Sequence, residues 1–440
     1  MLNHGHVCRR AVVVVCAIAM LGIGAVREAQ AEAAEFVVTD YGAQPDNEVL
    51  DTAGIQAAID ACAEAGGGAV RIPAGRFLSG GLHLRDNIRL VLDEDAVLEG
   101  SSDYQDYGGG DWTDALITGD GVRNIAIEGP GKIDGVDCEN PDGEEGFRGP
   151  HAIYLTGASD ISIRELTIVN AGNYAILCRD STDAEIVDVS IRGGHDGLQA
   201  QDCARFSVRD CDFRTGDDCF AGCDNVDFEI INCKINSSCN GFRLGCVNLV
   251  VEGCEIWGPG EYPHLVTTRD GGEGRTNMLS AFTHFAPEDR DPQLPSDNWL
   301  IKDSTIENVG FVYGYDFEGG LWQTGQPAKN LRFESIQAVG IAEPMRVLGD
   351  EGRQFELTLD GVTIELEERD ADRPVLDLTR FGALNLHNVT LRNMGDAPVL
   401  RARDGDSVRM ENVTAEPAND GPFDFENVGV VESAEARRRE

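Results

Sequence analysis

The chain has 440 residues and carries 36 Lys and Arg against 77 Asp and Glu, a formal charge of −41 at pH 7, with 42% hydrophobic and 7% aromatic residues. That apolar fraction can bury a core and excludes wholesale disorder, while the acidity excludes a nucleic-acid binder, whose footprint is basic. The single apolar run, Ala11 to Ala25, is too short for a comfortable membrane span and excludes a polytopic membrane protein.

Arg9 and Arg10 precede that run, and Ala29-Gln30-Ala31 follows it as a small-x-small cleavage signal. This is the three-part grammar of a secretory signal peptide. Residues 1–31 are therefore read as a removed signal. The mature protein is expected to be secreted or periplasmic, free of the membrane and monomeric, since strong like charge keeps copies apart. Further on, Ile55, Ala58, Ile59 and Cys62 follow a helical period that Gly66-Gly67-Gly68 terminates. A short helix here suits the capping of an open solenoid end.

From Ile161 onward a pattern of apolar-x-apolar-x-x-apolar-x-apolar recurs with a period of about 22 residues. Its third position holds Leu166, Val189, Cys211, Cys233 and Cys254 in turn. After an interruption the pattern resumes at Ser304, Ile336, Val362, Val389 and Val413. Each unit cannot bury its apolar face alone, so neighbours must stack. The sites hold β-branched residues, Phe and Cys, which favour strands. The fold is therefore read as all-β, a parallel β-helix over residues 32–432, followed by a charged, frayed tail at 433–440. Cysteines at one place in successive coils are expected to be mostly unpaired core thiols.

Three motifs in this solenoid carry possible chemistry: Gly194-His195-Asp196-Gly197, Gly216-Asp217-Asp218 and Asn240-Gly241-Phe242-Arg243. They are spaced by about one coil, and one coil advances by one strand spacing, roughly 4.8 Å. Asp196, Asp217 or Asp218, and Asn240 therefore fall in a column on one surface. Three carboxylates held so close repel one another, so one of them keeps its proton at neutral pH. An acid beside ionised bases is the equipment of glycoside hydrolysis.

At these residues the sequence resembles the polygalacturonase-like glycoside hydrolases of family 28. The resemblance begins at Val38-Thr39-Asp40-Tyr41-Gly42-Ala43 and includes Ile72-Pro73-Ala74-Gly75. It is most specific at Asp196-Gly197 and Gly216-Asp217-Asp218. It implies a single-stranded right-handed parallel β-helix, a pectin-like or related cell-wall polysaccharide as substrate, and single-displacement, inverting hydrolysis. Asp217 would be the general acid, with Asp196 and Asp218 activating water. Two positions depart from the family pattern. Asn240-Gly241 stands where the family has His-Gly, and the family's Arg-x-Lys motif is absent, leaving Arg243, Arg269 and Arg275 as candidates by location.

The interruption between Cys254 and Ser304 holds Glu261, Tyr262, His264, Arg269, Asp270, Arg275 and His284. Insertions in solenoids often wall a binding face. Tyr313 and Tyr315, with Trp322 nearby, form an aromatic cluster suited to sugar rings. The candidate substrate-binding residues are thus Asn240, Arg243, His195, Arg269, Tyr313 and Tyr315. His195 is expected to point away from Asp196 if both lie in a strand. No Cys/His cluster has zinc spacing and no calcium loop is present, so no metal or other cofactor is expected. Two other readings stay open: a polysaccharide lyase using Arg243 as base, and a noncatalytic glycan-binding β-helix.

Overall fold

In the computed structural model, the residues described are 34–269, 272–287, 293–319, 325–367, 373–417 and 421–434, with the backbone alone at 437–438. Residues 1–31, read above as a signal, and Asp270 and Trp322 lie outside them. Each coil contributes three short strands, and every strand pairs in parallel with its equivalents one coil before and one coil after. Ile161 faces Ala184 in this way, and Ala184 faces Phe206. The result is a parallel β-helix.

The recurring apolar positions form its core. Leu166, Val189, Cys211, Cys233 and Cys254 are all buried one above another, and Ile336, Val362, Val389 and Val413 continue the column. All eleven cysteines among the described residues are free thiols. Aromatic residues stack likewise, Phe220 on Phe242 and Phe242 on Phe282, with ring centres 4.8 and 4.7 Å apart. The chain bends through left-handed residues at equivalent places in successive coils, such as Asp183, Asp227 and Asn248. Asn and Asp tolerate that conformation better than other side chains. Their side chains also bond coil to coil, Asn248 Nδ2 donating to Asp227 Oδ1 at 2.7 Å.

The helix Thr52–Glu64 buries Ile55, Ala58, Ile59 and Cys62 against the first coils. The solenoid starts earlier than the repeat pattern indicates: strands Gly68–Ile72, Ile88–Leu92 and Arg123–Glu128 already stack in register. Long loops at 101–114 and 135–150 disturb the sequence period there. At the far end, Ser433 and Ala434 complete the strand Val430–Ala434, which pairs with Ser407–Glu416. No helix among the described residues is long and apolar enough to cross a membrane.

Candidate active site

The first two motifs occupy the turns that lead into strands Leu198–Gln201 and Phe220–Ile231, and the third opens the strand Asn240–Glu252. Leu198 pairs with Phe220 and Phe220 with Phe242, which sets the register of the turns before them. Asp196, Asp218 and Asn240 therefore stack as one column, and Asp217 stands beside it. The backbone N–H of Asp218 donates to Asp196 Oδ1 at 3.1 Å, and that of Asn240 donates to Asp218 Oδ1 at 3.1 Å. Gly222 lets the second of these strands pass close to its neighbour. A Cβ there would lie 1.7 Å from the Ala200 carbonyl oxygen.

Asp196, Asp217 and Asn240 line a cleft of about 980 Å³, and Asp218 is fully buried directly behind them. One oxygen from each of Asp196, Asp217 and Asp218 lies within 4.8 Å of the others. The charges are balanced by two guanidinium groups. Arg148, 6% exposed, donates from Nη2 to Asp217 Oδ2 at 2.9 Å. Arg243 donates from Nε to Asp218 Oδ2 and lies over the Phe285 ring at 4.3 Å. Asp196 has no such partner; its Oδ2 is buried with no hydrogen bond.

The protonation states follow from this arrangement. Burial, reinforced by Asp217 and Asp218, pushes Asp196 well above the usual carboxylate range. Burial pushes Asp217 the same way, but His264, Arg148 and Arg243 outweigh it and hold Asp217 well below that range. Asp218 is raised by burial against the pull of Arg243. In the free cleft the retained proton thus sits on Asp196, while Asp217 is ionised. The resemblance assigns the acid role to Asp217, so the resting charge pattern differs from that expectation, and the reasons are His264, Arg148 and Arg243.

Asn240 is fully engaged. Its Nδ2 donates to Asp218 Oδ1 at 2.8 Å, and its Oδ1 accepts from Ser280 Oγ at 2.6 Å. It orients Asp218 more than it presents itself to a ligand. The imidazole nearest the carboxylates is His264, from the insertion, with Nε2 3.6 Å from Asp217 Oδ2. Arg275 also lines the cleft, donating to the Ser238 carbonyl at 3.1 Å.

The other expected ligand-binding residues divide. His195 and Asp196 lie in the turn between strands Ser190–Arg192 and Leu198–Gln201, and His195 faces a separate cavity of about 120 Å³ beside Phe147 and Arg269. Burial, then Arg148, push its ring down to about 3, so it is neutral. Arg269 pairs with Glu139 and covers the Phe147 ring, and it does not line the main cleft. Tyr313 corrects the sequence reading: it is 1% exposed and stacks on Phe355 at 6.0 Å within the core. Alternation along Phe311–Asp316 puts Gly314 and Asp316 on the cleft wall. Tyr315 packs in the core too, against His284 and Phe355, and still contributes to the lining.

Sequence reasoning missed Trp112, Arg148, Arg179 and Arg346 as lining residues. Trp112 and Arg148 come from the long loops, which share no period with the coils. Arg179 and Arg346 sit on outward strand positions, where any polar residue is ordinary. Two groups offer a metal donor set: Asp217, Cys239 and His264, and the three aspartates. A cation at either competes with Arg148 and Arg243 for the same oxygens.

A family model described as "Right handed beta helix region" matches residues 151–258. A protein named "Probable polygalacturonase" from Vitis vinifera is 28% identical over 42% of this chain and 43% of its own length. A "Probable rhamnogalacturonase E" from Aspergillus flavus is 24% identical over 76% of this chain and 73% of its own. Among solved structures, the family 28 exopolygalacturonase of Yersinia enterocolitica shares the fold with a TM-score of 0.60 at 18% identity, covering 90% of this chain and 78% of that one. By sequence the chain is similar to polygalacturonases and rhamnogalacturonases, and by fold it is a right-handed parallel β-helix.

Proposed function

We propose that the chain hydrolyses a glycosidic bond in an acidic, pectin-like polysaccharide, using Asp196, Asp217 and Asp218. The observation that supports this best is the triad itself: three buried carboxylates held together, Asp196 and Asp217 on the cleft wall and Asp218 behind them, with Asp217 and Asp218 each paired to an arginine. The cleft also departs from the acidity of the whole chain. Arg148, Arg179, Arg243, Arg275 and Arg346 line it against Glu144, Glu145, Asp196, Asp217 and Asp316, whereas the chain overall has about twice as many acidic as basic residues. A cleft so enriched in guanidinium suits the carboxylate of a uronic acid.

In the proposed reaction, water loses a proton to Asp218 as its oxygen attacks the anomeric carbon. The bond from that carbon to the leaving oxygen breaks, and the leaving oxygen takes a proton from Asp217. Asp217 is ionised in the free cleft, so it must first be charged. A sugar carboxylate competing for Arg148 frees Asp217 to take up the proton held at Asp196. An acidic substrate thus prepares its own acid catalyst. The oxygens lie closer than the roughly 6.5–9.5 Å usual between the two carboxyls of an inverting pair, so inversion rests on the family resemblance alone. The anomer released first is its direct readout.

Two other readings fare worse. A lyase base at Arg243 would have to lose a proton. Burial favours that loss, but Asp218, Asp196 and Asp217 outweigh it and hold the guanidinium above its ordinary value. A purely glycan-binding role leaves the neutral buried Asp196 without purpose. We further propose that the protein acts as an exported monomer without a cofactor.

The test is incubation with polygalacturonan and rhamnogalacturonan, reading reducing ends and near-ultraviolet absorbance together. Hydrolysis gives reducing ends without absorbance, and Asp217→Asn abolishes them. Absorbance would establish a lyase. Unchanged activity in Asp217→Asn would remove the triad from the mechanism.

A further inference from the structure

One outward row of side chains crosses the cleft face of the β-helix, coil by coil. In register it runs Tyr154, Leu177, Gln199, Ala221, Arg243, Thr283, Gly314 and Arg346. A polysaccharide lying along the face would follow this row. Its two ends differ. Arg346 is exposed, and the row continues beyond it through Asp377 and Arg401, which pair with each other on the surface. At the other end Leu177 is 1% exposed and Tyr154 7%. Although they point outward from the solenoid, they form a second small core with Ala115 and Tyr174, separate from the main one.

The cover comes from the two long loops before strands Ala115–Asp120 and His151–Thr156. They meet at Glu144. Its Oε2 accepts from Trp112 Nε1 at 3.3 Å, Asn173 Nδ2 at 3.4 Å and Tyr174 Oη at 3.4 Å. The ring of His151 stacks on Tyr174 at 5.1 Å and meets the edge of Trp112 at 5.3 Å. Burial pushes His151 down to about 3, so the ring is neutral. Its Nδ1 accepts from the Tyr174 N–H and its Nε2 donates to the Trp112 carbonyl. Arg179 lies 5.3 Å over the Trp112 ring from the cleft side. These hydrogen bonds and ring contacts tie the two loops to each other and to the coil beneath, which fixes the wall in place.

We propose that this wall stops the glycan, so that the protein cleaves from a chain end and releases one or two sugars at a time. The inference rests on the glycosidase reading above. Leu177 is one strand spacing, roughly 4.8 Å, from the strand whose lead-in carries Asp196. Between the wall and the carboxylates there is room for a single terminal sugar or a pair. On the open side four more strands, roughly 19 Å, separate Asp218 from Arg346 and accommodate the rest of the chain. Trp112 and Arg179 line the cleft at this end, the guanidinium lying over the ring and offering a carboxylate partner to the terminal sugar.

The experiment follows the first products from polygalacturonan and rhamnogalacturonan by mass spectrometry, with viscosity recorded in parallel. Chain-end action gives mono- or disaccharide as the first product, and viscosity falls slowly relative to new reducing ends. A paired Trp112→Ala, Glu144→Ala variant opens the wall and shifts the products to longer oligosaccharides. Long oligosaccharides from the unmodified protein, with an early collapse of viscosity, would overturn the wall's role while leaving hydrolysis intact. Absence of any new reducing end, together with no binding of either polysaccharide by Asp217→Asn, would overturn the glycosidase reading and this inference with it.

Discussion

Replacing Arg148 with methionine isolates the charge balance of the cleft. Met keeps most of the apolar volume and removes one of two guanidinium groups from three buried carboxylates. Leaving a buried charge without its partner costs about 3–5 kcal/mol. For a cooperative unit of roughly 400 residues that lowers Tm by about 4–6 °C. The deficit has a pH signature. In the variant only His264 and Arg243 still oppose burial, and burial is expected to prevail and raise the folded-state pKa of Asp217 above its unfolded value. Stability from such a group is present below the unfolded pKa and lost as pH rises through the folded one, at about 1.4 kcal/mol per pH unit. In the unmodified protein Asp217 is held low and contributes no slope above pH 5. The Tm difference is therefore small near pH 5 and largest near pH 8, and a second change, Asp217→Asn, removes its pH dependence. Thermal melts across that range provide the assay. A deficit that is constant from pH 5 to 8, or that persists unchanged in the double variant, would refute the pairing of Arg148 with an ionised Asp217.

Two further outcomes follow from buried groups. Burial pushes His284 down to about 4, so below pH 6.5 the unfolded chain gains a proton there that the folded chain does not. Folding stability contributed by this site falls by about 1.4 kcal/mol per unit between pH 6.5 and 4, and His284→Gln, read by urea unfolding over that window, flattens the slope by that amount. Ser280 Oγ holds Asn240, which holds Asp218. Losing one such hydrogen bond costs about 1 kcal/mol, so Ser280→Ala lowers kcat roughly fivefold with KM unchanged. A KM change alone would place Asn240 on the substrate instead.

What was legible in the sequence is what repeats. Cys211, Cys233 and Cys254 mark one place in three coils, and the same period stacks Asp196, Asp217 or Asp218, and Asn240 before any coordinates are known. The capping helix was legible because Ile55, Ala58, Ile59 and Cys62 lie on one helical face. The first coils were not, because the loops at 101–114 and 135–150 break the period. Those loops supply Arg148 and Trp112, so the partner of Asp217 and the wall of the cleft were hidden together. Tyr313 shows another limit. In Phe311–Asp316 alternation divides the strand into two faces without saying which is inward, and here the tyrosine faces Phe355 in the core. The proton's place on Asp196 was equally hidden, since it depends on which carboxylates the arginines reach in space.

The most direct measurement is digestion of polygalacturonan and rhamnogalacturonan in water enriched in heavy oxygen, followed by mass spectrometry of the new chain ends. If Asp196, Asp217 and Asp218 direct water onto the anomeric carbon, each new reducing end carries one heavy oxygen, and Asp217→Asn produces none. New ends without the label would show that the bond is broken by elimination, and labelled ends from Asp217→Asn at the unmodified rate would show that hydrolysis is carried out elsewhere.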